Sequence, residues 1–197
     1  MYKNTNFNHK KERKLKKMDY LNFEKQHCCC FCGHRKINNT KELQNKIYVV
    51  IEKLITDYNV DTFLFGSRSE FDAICYEIVT KLKKIYYHIK RIYIRAEYPD
   101  ISESYTEFLL KNYEATYYPK KLRNAGKASY VERNREMIDK SDFCIIYYDE
   151  NYKPPKRYYN SRILSSYQPK SGTHIAYTYA KRKKLKVINI INDTINI

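Results

Sequence analysis

Glycine is scarce in this chain, with four residues among 197. Long apolar runs are missing altogether: none approaches the roughly 18 residues needed to cross a bilayer. The opening stretch MYKNTNFNHKKERKLKK is charged but is followed by no apolar segment of signal-peptide type. A cytoplasmic protein without a membrane partner is therefore expected. Gly/Ser-rich linkers and internal repeats are also lacking, so one domain is the default for this length. The six cysteines include a single C-x-x-C, Cys29 to Cys32, with His27 and His34 close by. A structural zinc site needs a second ligand pair, and none exists. Neither a metal nor a cofactor is expected, and free thiols suit a chain of this size outside the secretory pathway.

Acidic residues are few beside the basic ones, 22 against 38, which gives a formal charge of +16. Clustered Lys and Arg attract phosphate backbones and release counterions, so the balance invites a nucleic-acid partner. Residues 1–17 hold seven Lys or Arg against one Glu, a net of +6, which leaves +10 for the remainder. The chain is rich in Lys, Asn, Ile and Tyr throughout, and broad compositional bias also accounts for much of the excess.

Past the basic start, the chain alternates β-rich runs with helical periods. CCCFCG reads as a buried strand, with Cys28, Cys30 and Cys32 on one side and Cys29 and Phe31 on the other. Leu43, Ile47, Val50, Ile51, Leu54, Ile55 and Tyr58 then form one apolar stripe of a helix for which Thr40 is a fitting N-cap. VDTFLFG is a second strand. Phe71, Ile74, Cys75, Ile78, Val79, Leu82 and Ile85 mark a second helix, and IKRIYIRA a third strand. A short helix carries Tyr105, Phe108, Leu109 and Tyr113, and a short extended piece, EATYY, comes after it. A helix from about Tyr130 to Lys140, the strand FCIIYY, a helix from about Thr173 to Lys184 and the strand KVINII complete the order.

Such alternation predicts an α/β fold: a Rossmann-like, doubly wound, mostly parallel sheet with helices on both faces. The expected organisation is a basic, flexible tail over 1–25 and a single domain over 26–197. A long loop at about 149–171, DENYKPPKRYYNSRILSSYQPKS, exceeds the usual connection length and reads as a lid or contact surface. The glycines punctuate this pattern. Gly33, Gly66, Gly126 and Gly172 each stand shortly before an expected helix, where glycine lets backbone N–H groups approach an anion. Tight turns alone also explain any one of them.

Four stretches, CFCGHRKI, FLFGSRSEFDAICYEIV, ERNREMIDKSDFCIIYY and KSGTHIAYTYAKRKKLKVINI, together resemble the SLOG superfamily, the Rossmann-like group that includes DprA and the LOG phosphoribohydrolases. Within it the chain is most similar to the small, YpsA-like bacterial branch, over roughly residues 28–192. The resemblance implies a pocket for a nucleotide or nucleotide-derived sugar phosphate. Gly66 and Asp72 match the family's glycine-rich turn and acidic residue, with Ser67, Arg68 and Ser69 where small residues are common. Arg133, with Asn134 beside it, matches the arginine after Glu in the LOG motif ERKAEM. Ser171, Gly172 and Thr173 match the end of the LOG phosphate motif PGGxGTxxE. The match breaks at Ala176, which stands where LOG enzymes carry their catalytic glutamate, and at Pro169-Lys170, which replace the paired glycines.

The expected ligand-binding set is thus Gly33, His34, Arg35, Gly66, Ser67, Arg68, Asp72, Arg133, Asn134, Ser171, Gly172 and Thr173, with Arg133 and Asp72 the candidates for any catalytic role. Plainer readings stay open: Arg133 and Arg135 as exposed helix charges, Asp72 as a first-turn acid on the helix dipole, His34 as a solvated loop residue. The leading functional expectation is a binding module for a nucleotide-derived small molecule, a sensor or accessory protein in nucleotide signalling or phage-related conflict. An N-glycosidic hydrolase with Asp72 or Glu70 replacing the missing glutamate is the second. The third is a DprA-like binder of single-stranded nucleic acid that uses the tail and the loop. A homo-oligomer is compatible with each.

Overall fold

The computed structural model describes residues 27–66, 69–152 and 171–192. The basic tail, Ser67 and Arg68, and the loop from 153 to 170 lie outside the described residues.

Six parallel strands form one sheet: β1 (Cys28–Gly33), β2 (Thr62–Phe65), β3 (Lys90–Ile94), β4 (Ala115–Tyr117), β5 (Phe143–Tyr147) and β6 (Lys186–Asn189), in the order β4-β3-β2-β1-β5-β6. Between them run α1 (Lys41–Tyr58), α2 (Glu70–Lys83), α3 (Glu103–Asn112), α4 (Ser129–Asp139) and α5 (Gly172–Arg182). Two short 3-10 turns, Lys120–Asn124 and Gly126–Ala128, lead into α4. Four helices start on a hydroxyl that accepts a first-turn N–H: Thr40 from Leu43, Ser69 from Asp72, Ser102 from Tyr105 and Ser171 from His174. Among the described residues no side chain caps α4.

The alternation within CCCFCG divides the core in two. Cys29 and Phe31 join Phe63, Phe65 and the apolar stripes of α1 and α2, while Cys30 and Cys32 join Leu64, Cys144 and the stripes of α4 and α5. All six cysteines are buried and unpaired. Burial pushes the Cys28 thiol up to about 11 and raises that of Cys29, whereas hydrogen bonds with Cys144 and Cys30 lower that of Cys32. Among the described residues no group of three His, Cys, Asp or Glu is arranged to hold a metal ion.

Two sequence expectations shift. The stripe of α2 ends before Ile85: the helix stops at Lys83, and Ile85 is 60% exposed. In α3 only Leu109 is buried, while Tyr105 and Phe108 stack on one another at the surface. The edge strand β4 is three residues long, and it offers α3 too little sheet to cover both rings.

From β1 the chain winds outward through β2, β3 and β4, then returns to the far side of β1 for β5 and β6. The helices after β1 and β5 pack on opposite faces, so the carboxyl ends of these two strands form the topological switch point, where doubly wound sheets place their ligand crevice.

Candidate functional site

The crevice is bridged by a histidine. His34 comes directly after the last residue of β1, and its side chain is 2% exposed rather than solvated. Its Nε2 accepts the Asp149 N–H at 3.1 Å, which ties the end of β1 to the end of β5. A neutral imidazole that accepts at Nε2 carries its proton on Nδ1. Burial holds the pKa below the ordinary value of 6.5, and Asp149 pulls weakly the other way. The ring stacks on Tyr152 at 3.8 Å, and Nδ1 is buried with no hydrogen-bond partner among the described residues.

On the other side of the crevice Tyr148 fixes the start of α5. Its N–H and C=O are both held by the Asn189 amide, at 3.2 and 2.9 Å, and its hydroxyl meets His174 Nδ1 at 2.8 Å. The Tyr148 ring stacks on Tyr177 at 4.6 Å. Ser171 satisfies the His174 N–H, while the amides of Gly172 and Thr173 have no carbonyl to bond within the helix. Thr173 is buried, and Gly172 is exposed, with no described residue within 4 Å of where a Cβ would stand.

At the end of β2 a second group of expected residues meets. The Gly66 N–H donates to Asp72 Oδ1 at 3.4 Å, and Arg133 Nη1 donates to the Gly66 carbonyl. A Cβ at Gly66 would fall on the Arg133 guanidinium, so glycine here leaves the arginine its present seat. Arg133 is 5% exposed, hence not an exposed helix charge. Burial lowers its pKa, an effect that the charge of Asp72 opposes. Its Nε donates to Asn134 Oδ1 at 3.0 Å, and the guanidinium lies 5.8 Å from the Tyr130 ring centroid. Gly66, Asp72, Arg133 and Asn134 are therefore brought together, largely in contact with one another.

The remaining expected positions have local explanations. Gly33 gives room to Phe71, whose side chain a Cβ there would strike. Arg35 is exposed, and its carbonyl accepts the Glu70 N–H at 3.0 Å. Glu70 holds Lys36 at 2.7 Å and the Ile37 N–H at 3.1 Å, contacts that lower its pKa. Ala176 is 2% exposed in the core under α5. Ser67 and Arg68 fall outside the described residues. Sequence reasoning missed Tyr148, Tyr152, His174 and Asn189. Only the tyrosine pair closing FCIIYY and a histidine in the first turn of α5 hinted at them.

A family model described as the YspA SLOG family (YpsA) matches residues 30–182. A search of curated proteins finds no match. Among solved structures, DNA processing protein A (DprA) from Streptococcus pneumoniae shares the fold, with a TM-score of 0.51 at 15% identity over 83% of this chain and 50% of that one. The chain thus spans about half the length of that protein.

Proposed function

This chain belongs to the YspA SLOG family, and on that premise we propose that the crevice between β1 and β5 binds a nucleotide or nucleotide-derived ligand, in a protein that senses or accompanies nucleotide signalling or phage-related conflict. One observation carries the reading: the amino end of α5, held in place by Ser171 and Tyr148, stands at the crevice that His34 bridges. Helix amino ends favour phosphate, and doubly wound sheets take ligands where the strand order reverses.

Cleavage of the ligand forms no part of this reading. Position 176 is alanine, Glu70 is committed to Lys36 and Ile37, and Asp72 accepts the Gly66 amide. General acid–base assistance needs a carboxylate in reach of the scissile bond.

The test is native mass spectrometry of the purified full chain for a co-purified nucleotide, followed by calorimetric titration of nucleoside monophosphates. Gly172→Glu meets no described residue at its Cβ and suits the helix dipole, yet it sets a negative charge against phosphate. Binding should weaken roughly tenfold, the scale of one partly solvated charge repulsion, with an unchanged melting temperature. Equal affinity in the variant would place the ligand elsewhere.

The net charge of +16, of which +6 lies in the first 17 residues, favours a second reading, attachment to nucleic acid. Deleting residues 1–25 should weaken retention on single-stranded DNA and flatten its salt dependence while nucleotide titrations stay the same. Identical salt slopes for both chains would remove the tail from that role.

A further inference from the structure

Beyond the ends of β3 and β4, on the same carboxyl edge but two strands away from β1, lies a cavity of about 520 Å³. It falls within the size range of small-ligand pockets. None of the residues assigned above lines it. Its floor is apolar, from the buried Ala96 and Leu122. Tyr118 supplies an aromatic ring to the lining, Glu97 and Asp100 supply carboxylates from the β3–α3 connection, and Arg123 supplies a cation.

These walls are built in advance of any ligand. Arg95 is buried, sits 6.0 Å from the Tyr118 ring centroid, and donates Nη1 to the carbonyls of Tyr98 and Pro99 at 3.0 Å each. It thereby couples the aromatic wall to the turn that carries Asp100. Glu97 receives the Tyr130 hydroxyl, which fixes the other side of the same connection to α4. Asp100, on the exposed rim, supplies the carboxylate not tied to Tyr130.

An aromatic face beside a carboxylate selects a flat heterocycle whose edge carries adjacent N–H donors. Among nucleobases guanine meets this demand, since N1–H and the exocyclic amino group lie side by side and match the two oxygens of one carboxylate. Adenine presents an acceptor at N1 and would set a lone pair against that charge. Cytosine and uracil offer less ring to stack. We infer that this cavity is a second binding pocket, that it takes a guanine base, and that Tyr118 stacks on the base while Asp100 reads its donor edge. The inference does not depend on a ligand in the crevice between β1 and β5.

Nucleosides test it, because they carry no phosphate for the α5 amino end. Calorimetric or ligand-observed NMR titration of the full chain with guanosine should show saturable binding, and adenosine should bind about tenfold or more weakly. Asp100→Asn replaces one acceptor oxygen by a donor at an exposed position and should cost guanosine about tenfold, the scale of one charge-assisted hydrogen bond. Gly172→Glu should leave guanosine binding unchanged. Equal affinity for the two nucleosides, absence of guanosine binding, or an Asp100→Asn chain that binds as the wild type does would each overturn the proposal. Loss of guanosine binding in Gly172→Glu would move the base to the crevice and overturn it as well.

Discussion

The inner and outer parts of one sheet edge differ in how they use their polar residues. At the end of β2, Gly66, Asp72 and Arg133 satisfy one another, and at the end of β1 His34 is spent on Asp149 and Tyr152. Beyond β3 and β4, Asp100 and Arg123 line open space instead, beside a Glu97 that Tyr130 holds. Both lie where an open α/β sheet takes its ligands. A place on that edge makes a residue a candidate, but its partners decide whether it is structural wall or open contact. A buried guanidinium is costly to desolvate, so Arg133 persists where the Gly66 carbonyl and the charge of Asp72 offset that cost.

The most direct way to break this contrast is Arg133→Met. If the arginine is a clamp, its removal strands the Gly66 carbonyl and leaves the buried Asp72 without its neighbouring cation. The chain should lose about 3–5 kcal/mol, read from the urea midpoint. A loss below about 1 kcal/mol, typical of an exposed charge, would return Arg133 to the ligand side.

Gly66→Ala tests the same clamp from its other partner. The added methyl lands on the guanidinium, and overpacking of this kind costs about 1–3 kcal/mol. Gly33→Ala should fall in the same range through Phe71. A neutral outcome at Gly66 would mean that the guanidinium readily vacates its seat, and so remains free for a ligand.

His34 sharpens the contrast through pH. Its folded-state pKa lies below the ordinary value of 6.5, so on acidification the unfolded chain takes up a proton that the folded one refuses. The stability that His34 contributes is present above pH 6.5 and is lost as the pH falls below it. Melting curves of wild type and His34→Gln should accordingly converge between pH 7.5 and 5.5, by at most about 1.4 kcal/mol per pH unit. Parallel curves would show that the ring is not held neutral.

The smallest effect belongs to Gly172→Ala. No described residue lies within 4 Å of the added carbon, and the position is exposed, so stability should stay within about 0.5 kcal/mol of the parent. Set beside Gly66→Ala, this separates a glycine needed for packing from one that leaves a helix end accessible. Titration of the same variant with a nucleoside monophosphate shows whether that access is used.

Much of the molecule was legible because burial has a local period. Thr40 and the stripe from Leu43 to Tyr58 announced α1 and its cap, and the alternating sides of Cys28–Cys32 announced a strand buried on both faces. The stripe misled at Ile85 and at Tyr105 and Phe108, where the chain had run past the sheet that would have covered them. The family motifs led to Gly66, Asp72 and Arg133, which do lie together. They carried no sign that the three bond to one another, and none of Asn189 holding Tyr148.

The sequence by itself determined the elements, their order and the parallel α/β class, since apolar residues at steps of two or of three and four specify strand and helix without reference to distant chain. Tertiary structure alone decided that β5 lies against β1, that His34 meets Asp149 across 115 positions, and that Arg133 reaches Gly66 across 67. Strand neighbours are set by how whole layers pack. A polar side chain's partner is whichever group that packing brings within about 3 Å, and no local period encodes it.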